Sequence, residues 1–238
     1  MKTNIEGKVA LVTGSNRGIG RAIVEALLAR GASKVYATAR NTDSLKSLVE
    51  SSGDRAEVEQ VEQVASLAGE VQIVVSNAGY AAQTDLFAQD ISPARQEFEV
   101  NYWGSLNIAR AFVPLIESNG GGAVINIASI ASLVNFPPFP TYSDSKAAVH
   151  SLTQGLRLTK GNNIQVLGVY PGPVDTDMAA DLEMDKASPA SVAAAIFDAL
   201  ESGKVDVFPD PVAEGFTGPY EAGAKVLEQG TAEMLAGS

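Results

Sequence analysis

The feature that most constrains this chain is an alternation along it. Short β-branched runs, Val9 to Thr13, Val35 to Ala39, Val71 to Ser76, Val124 to Ala128, Ile164 to Tyr170 and Val205 to Phe208, are separated by longer stretches of helical character. Strands that alternate with helices build βαβ units, so the chain is expected to form a parallel sheet covered by helices on both faces. Helix starts fit the spaces. Ser92 with Pro93 reads as a cap and first-turn residue for a helix reaching towards Glu117, and Ser188 with Pro189 does the same ahead of Ala190 to Leu200. With 238 residues and 45% hydrophobic composition, a single domain over residues 1–238 has enough chain for a sizeable core. No linker, fixed-period repeat or low-complexity tract divides it.

Composition removes several kinds of chemistry. The chain has no cysteine, so a disulfide framework, a thiolate zinc site and a cysteine nucleophile are all excluded. The one histidine, His150, cannot supply the two or three nitrogens of a typical catalytic zinc, and no metal is expected. A net charge of −11 opposes attraction to nucleic acid or anionic lipid. Met1 to Lys8 is polar and no later stretch stays apolar for about 18 residues, so a soluble cytoplasmic protein is expected, with neither membrane nor nucleic acid as partner.

Directly after the first strand comes Thr13-Gly14-Ser15-Asn16-Arg17-Gly18-Ile19-Gly20, followed by an apolar-periodic helix from Arg21 to Arg30. Glycines here permit a tight turn and close approach of backbone to a pyrophosphate, whose charge the helix start then favours. Gly14, Ser15, Asn16, Arg17, Gly18, Ile19 and Gly20 are therefore candidate dinucleotide-binding residues. The spacing resembles the Thr-Gly-x-x-x-Gly-x-Gly pattern of short-chain dehydrogenases/reductases. That resemblance implies a Rossmann-like doubly wound parallel sheet in three α/β/α layers, and a compact oxidoreductase of the carbonyl reductase kind.

Cofactor choice is read from the end of the second strand. Sites specific for NAD place an acidic residue about 20 positions beyond the loop to bond the ribose 2′-OH. Here that count reaches Arg40, with Ala39 where NAD-specific members tend to carry aspartate. Arginine offers a charge-assisted contact to a 2′-phosphate, and Arg17 is a second candidate for it, so NADP(H) is expected.

Tyr142-Ser143-Asp144-Ser145-Lys146 sets tyrosine and lysine four apart, on one face of a helix. A phenol with a pKa near 10 is a poor acid or base at neutral pH, and a neighbouring ammonium draws it towards the working range. Ser129 ends an apolar strand 13 residues before Tyr142, a spacing that resembles the family's Ser, Tyr and Lys triad. Asn101 matches the family's further asparagine, implied to hold a water that links the lysine to solvent. The resemblance implies that Ser129 orients a carbonyl, that Tyr142 is the general acid/base, and that Lys146 lowers the tyrosine pKa and bonds the nicotinamide ribose.

Two further turns match. Ser76-Asn77-Ala78-Gly79 resembles the family's Asn-Asn-Ala-Gly element, with Asn77, Ala78 and Gly79 implied to brace the sheet and line the adenosine side. Pro171-Gly172-Pro173-Val174-Asp175-Thr176 resembles the Pro-Gly element that flanks nicotinamide, where Val174 and Thr176 are implied to meet the carboxamide beside Pro171 and Gly172.

The chain departs from the pattern between Arg40 and Asn77, an interval several residues short with no Asp-Val element. Either Glu57 to Val61 is an abbreviated third strand, with Glu59 or Glu62 near adenine, or that edge is partly missing. The breaker-rich Asn135 to Pro140 reads as a loop. Phe136, Pro137, Phe139, Tyr80, Trp103 and Met178 are candidate walls for an apolar ketone or aldehyde. The expected partners are a small carbonyl or alcohol substrate and, by the resemblance, further copies of the chain in a homodimer or homotetramer. Two alternatives remain: a non-catalytic NADP(H)-binding sensor or scaffold, which would require a damaged triad, and an epimerase or dehydratase, which the little chain left after Tyr170 disfavours.

Overall fold

In the computed structural model, which describes residues 1–52, 55–59 (57–59 as backbone) and 68–223, the β-branched runs lie side by side in one sheet. Among the described residues the sheet has seven strands: β1 (Val9–Thr13), β2 (Lys34–Thr38), β3 (Ala56–Glu59), β4 (Ile73–Ser76), β5 (Gly122–Ile127), β6 (Ile164–Val169) and β7 (Asp206–Val207). Their order is β3-β2-β1-β4-β5-β6-β7, and every pairing is parallel. The order reverses between β1 and β4. A crevice outside the carboxyl ends at such a reversal is where open α/β sheets bind ligands.

The helices are α1 (Gly18–Ala29), α2 (Lys46–Ser52), α3 (Ser92–Phe98), α4 (Gly104–Ser118), α5 (Pro140–Thr159), α6 (Pro189–Ser202), α7 (Pro211–Glu214) and α8 (Thr217–Ala222). Strand side chains alternate between two apolar layers. Ala10, Val12, Ile73, Val75, Ile125 and Leu167 pack with α1 and α6, through residues such as Ile23, Leu27, Ile196 and Phe197. Leu11, Val74, Val124 and Val166 face the other way, against Ile108, Phe112 and Ile116 of α4. A period of two along fully buried strands thus sorts residues between two cores, giving three α/β/α layers. No described helix is long and apolar enough to cross a membrane.

One local expectation is revised, and one open choice is resolved. Ser92 is the first helical residue of α3 and not its cap; Ile91 holds the cap position, and the Asp90 carboxylate accepts the Ser92 N–H at 2.9 Å. An aspartate two residues ahead accepts the first helical N–H in an Asx-type turn, so the chain enters the helix with Ile91 and not Ser92 at the cap position. The shortened edge does contain a third strand, β3, which begins at Ala56 and pairs with β2 from Val35↔Ala56 to Thr38↔Glu59. Val61, Glu62 and residues 63–67 lie outside the described residues, as does the Glu59 side chain.

The helix after β4 widens as it passes the site. Between α3 and α4 the residues Glu99–Trp103 form a π-helical turn that contains Asn101. Such widened turns are rare and frequently mark functional positions.

The two-core reading predicts a contrast between two phenylalanines. Phe112 is fully buried and Phe87 is 91% exposed. Phe112→Ala is expected to cost about 3–5 kcal/mol and Phe87→Ala less than about 0.5 kcal/mol, read from urea unfolding midpoints at unchanged slope.

Candidate active site

The glycine loop is shaped by crowding from the β4 end. Gly14 and Gly18 hold positive φ angles of 67° and 54°, which side chains rarely adopt. A Cβ on Gly14 would lie 2.9 Å from the Cα of Ala78, and one on Gly20 would collide with the Gly14 carbonyl oxygen and with Asn77 Nδ2. Asn77 is the stitch: its Nδ2 donates to the carbonyls of Thr13 (2.9 Å) and Gly14 (3.2 Å). The Thr13 hydroxyl in turn accepts the N–H groups of Asn77 and Ala78, each at 3.0 Å. Ser15 spends its hydroxyl on Val12 O at 2.7 Å and its N–H on Thr38 O at 3.0 Å.

What the loop leaves open is the start of α1. Arg17 occupies the cap position in extended conformation and provides no side-chain cap, and the first turn carries no acidic residue. Backbone N–H groups and the positive end of the helix dipole are left for an anionic ligand. The Arg17 side chain forms an exposed ion pair with Asp177, beyond the 171–176 turn. Arg40 is exposed two residues past β2, and the buried Thr38 Oγ1 there has no hydrogen-bond partner among the described residues. From the far side of the crevice Thr176 reaches the loop: its Cγ2 is 2.9 Å from where a Gly18 Cβ would stand. The loops after β1 and β6 therefore meet across the carboxyl ends of β4 and β5.

Ser129 stands just past β5 and caps a 3-10 turn, Ile130–Ser132. Its Oγ accepts the Ala131 N–H (3.1 Å) and makes a long 3.4 Å bond to Pro171 O, tying this turn to the Pro-Gly turn after β6. The turn is anchored in its turn by Asp210, which accepts the Gly172 N–H at 2.7 Å. The loop 135–139 ends where Pro140 opens α5, and this helix carries Tyr142 and Lys146 one turn apart. Lys146 is buried, with Nζ donating to Ile127 O at 2.8 Å and lying 5.8 Å from the centre of the Tyr142 ring.

Electrostatics differ from the expected lysine-lowered phenol. Burial pushes Tyr142 up to about 12, against a hydrogen bond with Ser129 that pulls it down, and the Glu97 carboxylate adds to the upward push. Burial brings the Lys146 ammonium down to about 8. Desolvation is the largest influence on both groups, and the ammonium spends a hydrogen bond on the Ile127 carbonyl. The resulting Tyr142 is a protonated phenol at neutral pH.

Asn101 is buried, and its amide is fully engaged: Oδ1 accepts the Tyr80 N–H (2.9 Å), and Nδ2 donates to Tyr80 O (2.9 Å) and Ser145 Oγ (2.8 Å). The side chain thus fastens the 80–84 segment to α5. Gly79 borders the same pair: a Cβ there would make ordinary contact, 3.6 Å from both Asn101 Oδ1 and Lys146 Nζ. Val174 is buried in an isolated bridge to Ala187, and the Thr176 hydroxyl donates to Val174 O at 3.3 Å. Among the candidate walls, Phe136 packs on Phe216, whereas Trp103 sits edge-on to Tyr102 and stays 45% exposed. His150 is tied to the Tyr170 hydroxyl at 2.8 Å.

Sequence reasoning missed Asp210 and Glu97. Asp210 had a signal, an aspartate directly before Pro211 at a helix start. Glu97 sits four residues before Asn101, and the pair Thr141 and Ser145 has the same spacing, but only the packing of the two helices shows that these pairs meet.

Comparison with known proteins agrees with this architecture. The family model for short chain dehydrogenases matches residues 8–187. An uncharacterised oxidoreductase of Staphylococcus saprophyticus is 34% identical over 218 residues, covering 83% of this chain and 92% of the relative. A short chain dehydrogenase from Burkholderia cenocepacia, solved in complex with NADP, is 38% identical with a TM-score of 0.83, covering 95% of this chain and 98% of that one. A short-chain dehydrogenase from Streptomyces avermitilis is 28% identical with a TM-score of 0.81, covering 98% and 99%. With the glycine loop, the reversal between β1 and β4 and the Ser129, Tyr142 and Lys146 cluster on one sheet edge, the chain belongs to the short-chain dehydrogenase/reductase family.

Proposed function

We propose that this chain is an NADP(H)-dependent oxidoreductase that interconverts a carbonyl and an alcohol, with Tyr142 as the group that gives and takes the proton. The observation that carries the reading is the meeting of Ser129, a protonated Tyr142 and Lys146 beside the β5 end, next to the open start of α1. One domain over residues 1–238, assembled as a homodimer or homotetramer in the cytoplasm, completes it.

The residues fit a dinucleotide. The uncapped first turn of α1 suits a pyrophosphate, the crowded glycines bring backbone close to it, and Thr38 Oγ1, without a partner among the described residues, offers a polar atom at the adenosine end. Residues 14–20 would hold the pyrophosphate, and Arg40 with Arg17 would hold a 2′-phosphate. Asn77, Ala78 and Gly79 would border the adenosine half, and Pro171, Gly172, Val174 and Thr176 the nicotinamide half. The absence of an acidic residue at Ala39 and the NADP bound to the Burkholderia relative support NADP(H) over NAD(H). Arg17 must first leave Asp177, an exposed pair whose loss costs little.

When bound, the nicotinamide supplies the hydride. Ser129 turns its hydroxyl from the long bond to Pro171 O and donates to the carbonyl oxygen. Tyr142 donates to the same oxygen and passes it the phenolic proton as that oxygen becomes an alcohol. Lys146 places a positive charge beneath the phenol and stabilises the phenolate that remains. Asn101 holds the 80–84 segment against α5, so that these donors keep their spacing.

Tyr142→Phe is expected to keep NADPH binding, followed by cofactor fluorescence, while kcat with a reducible ketone falls at least about a hundredfold. Wild-type kcat in that variant would contradict the assignment. Arg40→Ala is expected to lower kcat/KM for NADPH about tenfold to a hundredfold and to leave the value for NADH nearly unchanged. Equal losses with both cofactors would place Arg40 outside the 2′-phosphate site.

A further inference from the structure

Glu97 is a fully buried carboxylate that the mechanism above does not use. It lies on α3 with no cationic partner among the described residues. Its Oε1 accepts the Ala82 N–H at 2.7 Å, and its Oε2 accepts the Thr141 hydroxyl at 2.6 Å. Both oxygens are engaged, so the side chain bridges the 80–84 segment and the start of α5. Burying an ionisable side chain is costly, so its placement calls for a function.

The surroundings repeat those of Asn101 one helical turn earlier. Asn101 grips the backbone of Tyr80 and reaches Ser145 on α5, and Glu97 grips the backbone of Ala82 and reaches Thr141 on α5. Each rung ends one residue before a catalytic side chain, Thr141 before Tyr142 and Ser145 before Lys146. The two rungs fix the pitch of α5 against the 80–84 segment at the two positions where chemistry is proposed to occur.

We propose that Glu97 is a positioning residue for Tyr142, which holds the start of α5 in place through Thr141 and ties it to the 80–84 segment through Ala82. The inference rests on the reading of Tyr142 as the acid/base group. The charged and titratable groups facing Tyr142 are Glu97 from α3 and Lys146 from its own helix; Ser129 adds a hydrogen bond, and the 80–84 segment contributes Tyr80 and no charged side chain. The Glu97 charge acts on the phenol in the direction that retains its proton, against the stabilisation of phenolate by Lys146. Removing the carboxylate charge stabilises phenolate, so the group titrates at lower pH.

The test compares wild type with Glu97→Gln, Glu97→Asp and Tyr142→Phe, recording kcat against pH for alcohol oxidation and NADPH binding by fluorescence. Glu97→Gln keeps the size and removes the charge. It is expected to move the midpoint of the oxidation profile down by about one unit with NADPH affinity unchanged, while Glu97→Asp retains a midpoint near that of wild type. A Glu97→Gln profile that coincides with wild type overturns the proposal, and so does a variant that loses NADPH binding together with turnover, since Glu97 would then serve the fold alone. The Tyr142→Phe arm separates the two readings: turnover retained there fails the acid/base assignment, whereas turnover lost there with an unmoved Glu97→Gln profile fails only the role of Glu97.

Discussion

Because all the strands run in one direction, each carboxyl end delivers its following loop to the same edge of the sheet. The glycine loop after β1, Arg40 after β2, Asn77 after β4, Ser129 after β5 and Pro171 after β6 are far apart in sequence and neighbours in space for that single reason. Cross-ties then convert proximity into fixed geometry. Asn77 and Thr13 join the first and fourth strand ends, Ser129 meets Pro171, and Arg17 meets Asp177. Parallel pairing is thus the constraint on which the site depends; without it these residues have no reason to meet.

A second constraint is burial. The catalytic helix α5 lies close enough to β5 that Lys146 donates to a strand carbonyl and Tyr142 is partly buried. Desolvation acts on both groups in opposite directions, making the tyrosine reluctant to release its proton and the lysine readier to do so. A site held this way is set to give a proton up only when a developing oxyanion claims it. The polar rungs at Glu97 and Asn101 keep the helix from relaxing away from that arrangement.

Much of this was legible beforehand, and the reasons are local. Strand positions followed from β-branched runs bounded by breakers, and the glycine loop from its place between a strand and a periodic helix. Ser188 capped α6 as its sequence suggested, its side chain accepting the Ser191 N–H. Ser92 failed as a cap because the helix starts one residue earlier than expected, with Ile91 at the cap position and Asp90 accepting the Ser92 N–H. The phenol's electrostatics failed because spacing along a helix fixes which residues share a face but not how deeply that face is buried. Glu97 was invisible for a related cause: an acidic residue in a polar run reads as solvated until a second helix is packed over it.

The central claim is that this edge of the sheet transfers hydride and is more than a place where a nucleotide rests. The most direct measurement is a single turnover with NADPH deuterated at the transferring position of C4 and a ketone substrate, scoring deuterium in the alcohol product. The account predicts one deuterium delivered to the carbinol carbon for each NADPH consumed. NADPH that binds but remains unconsumed across a broad panel of ketones and aldehydes would contradict it.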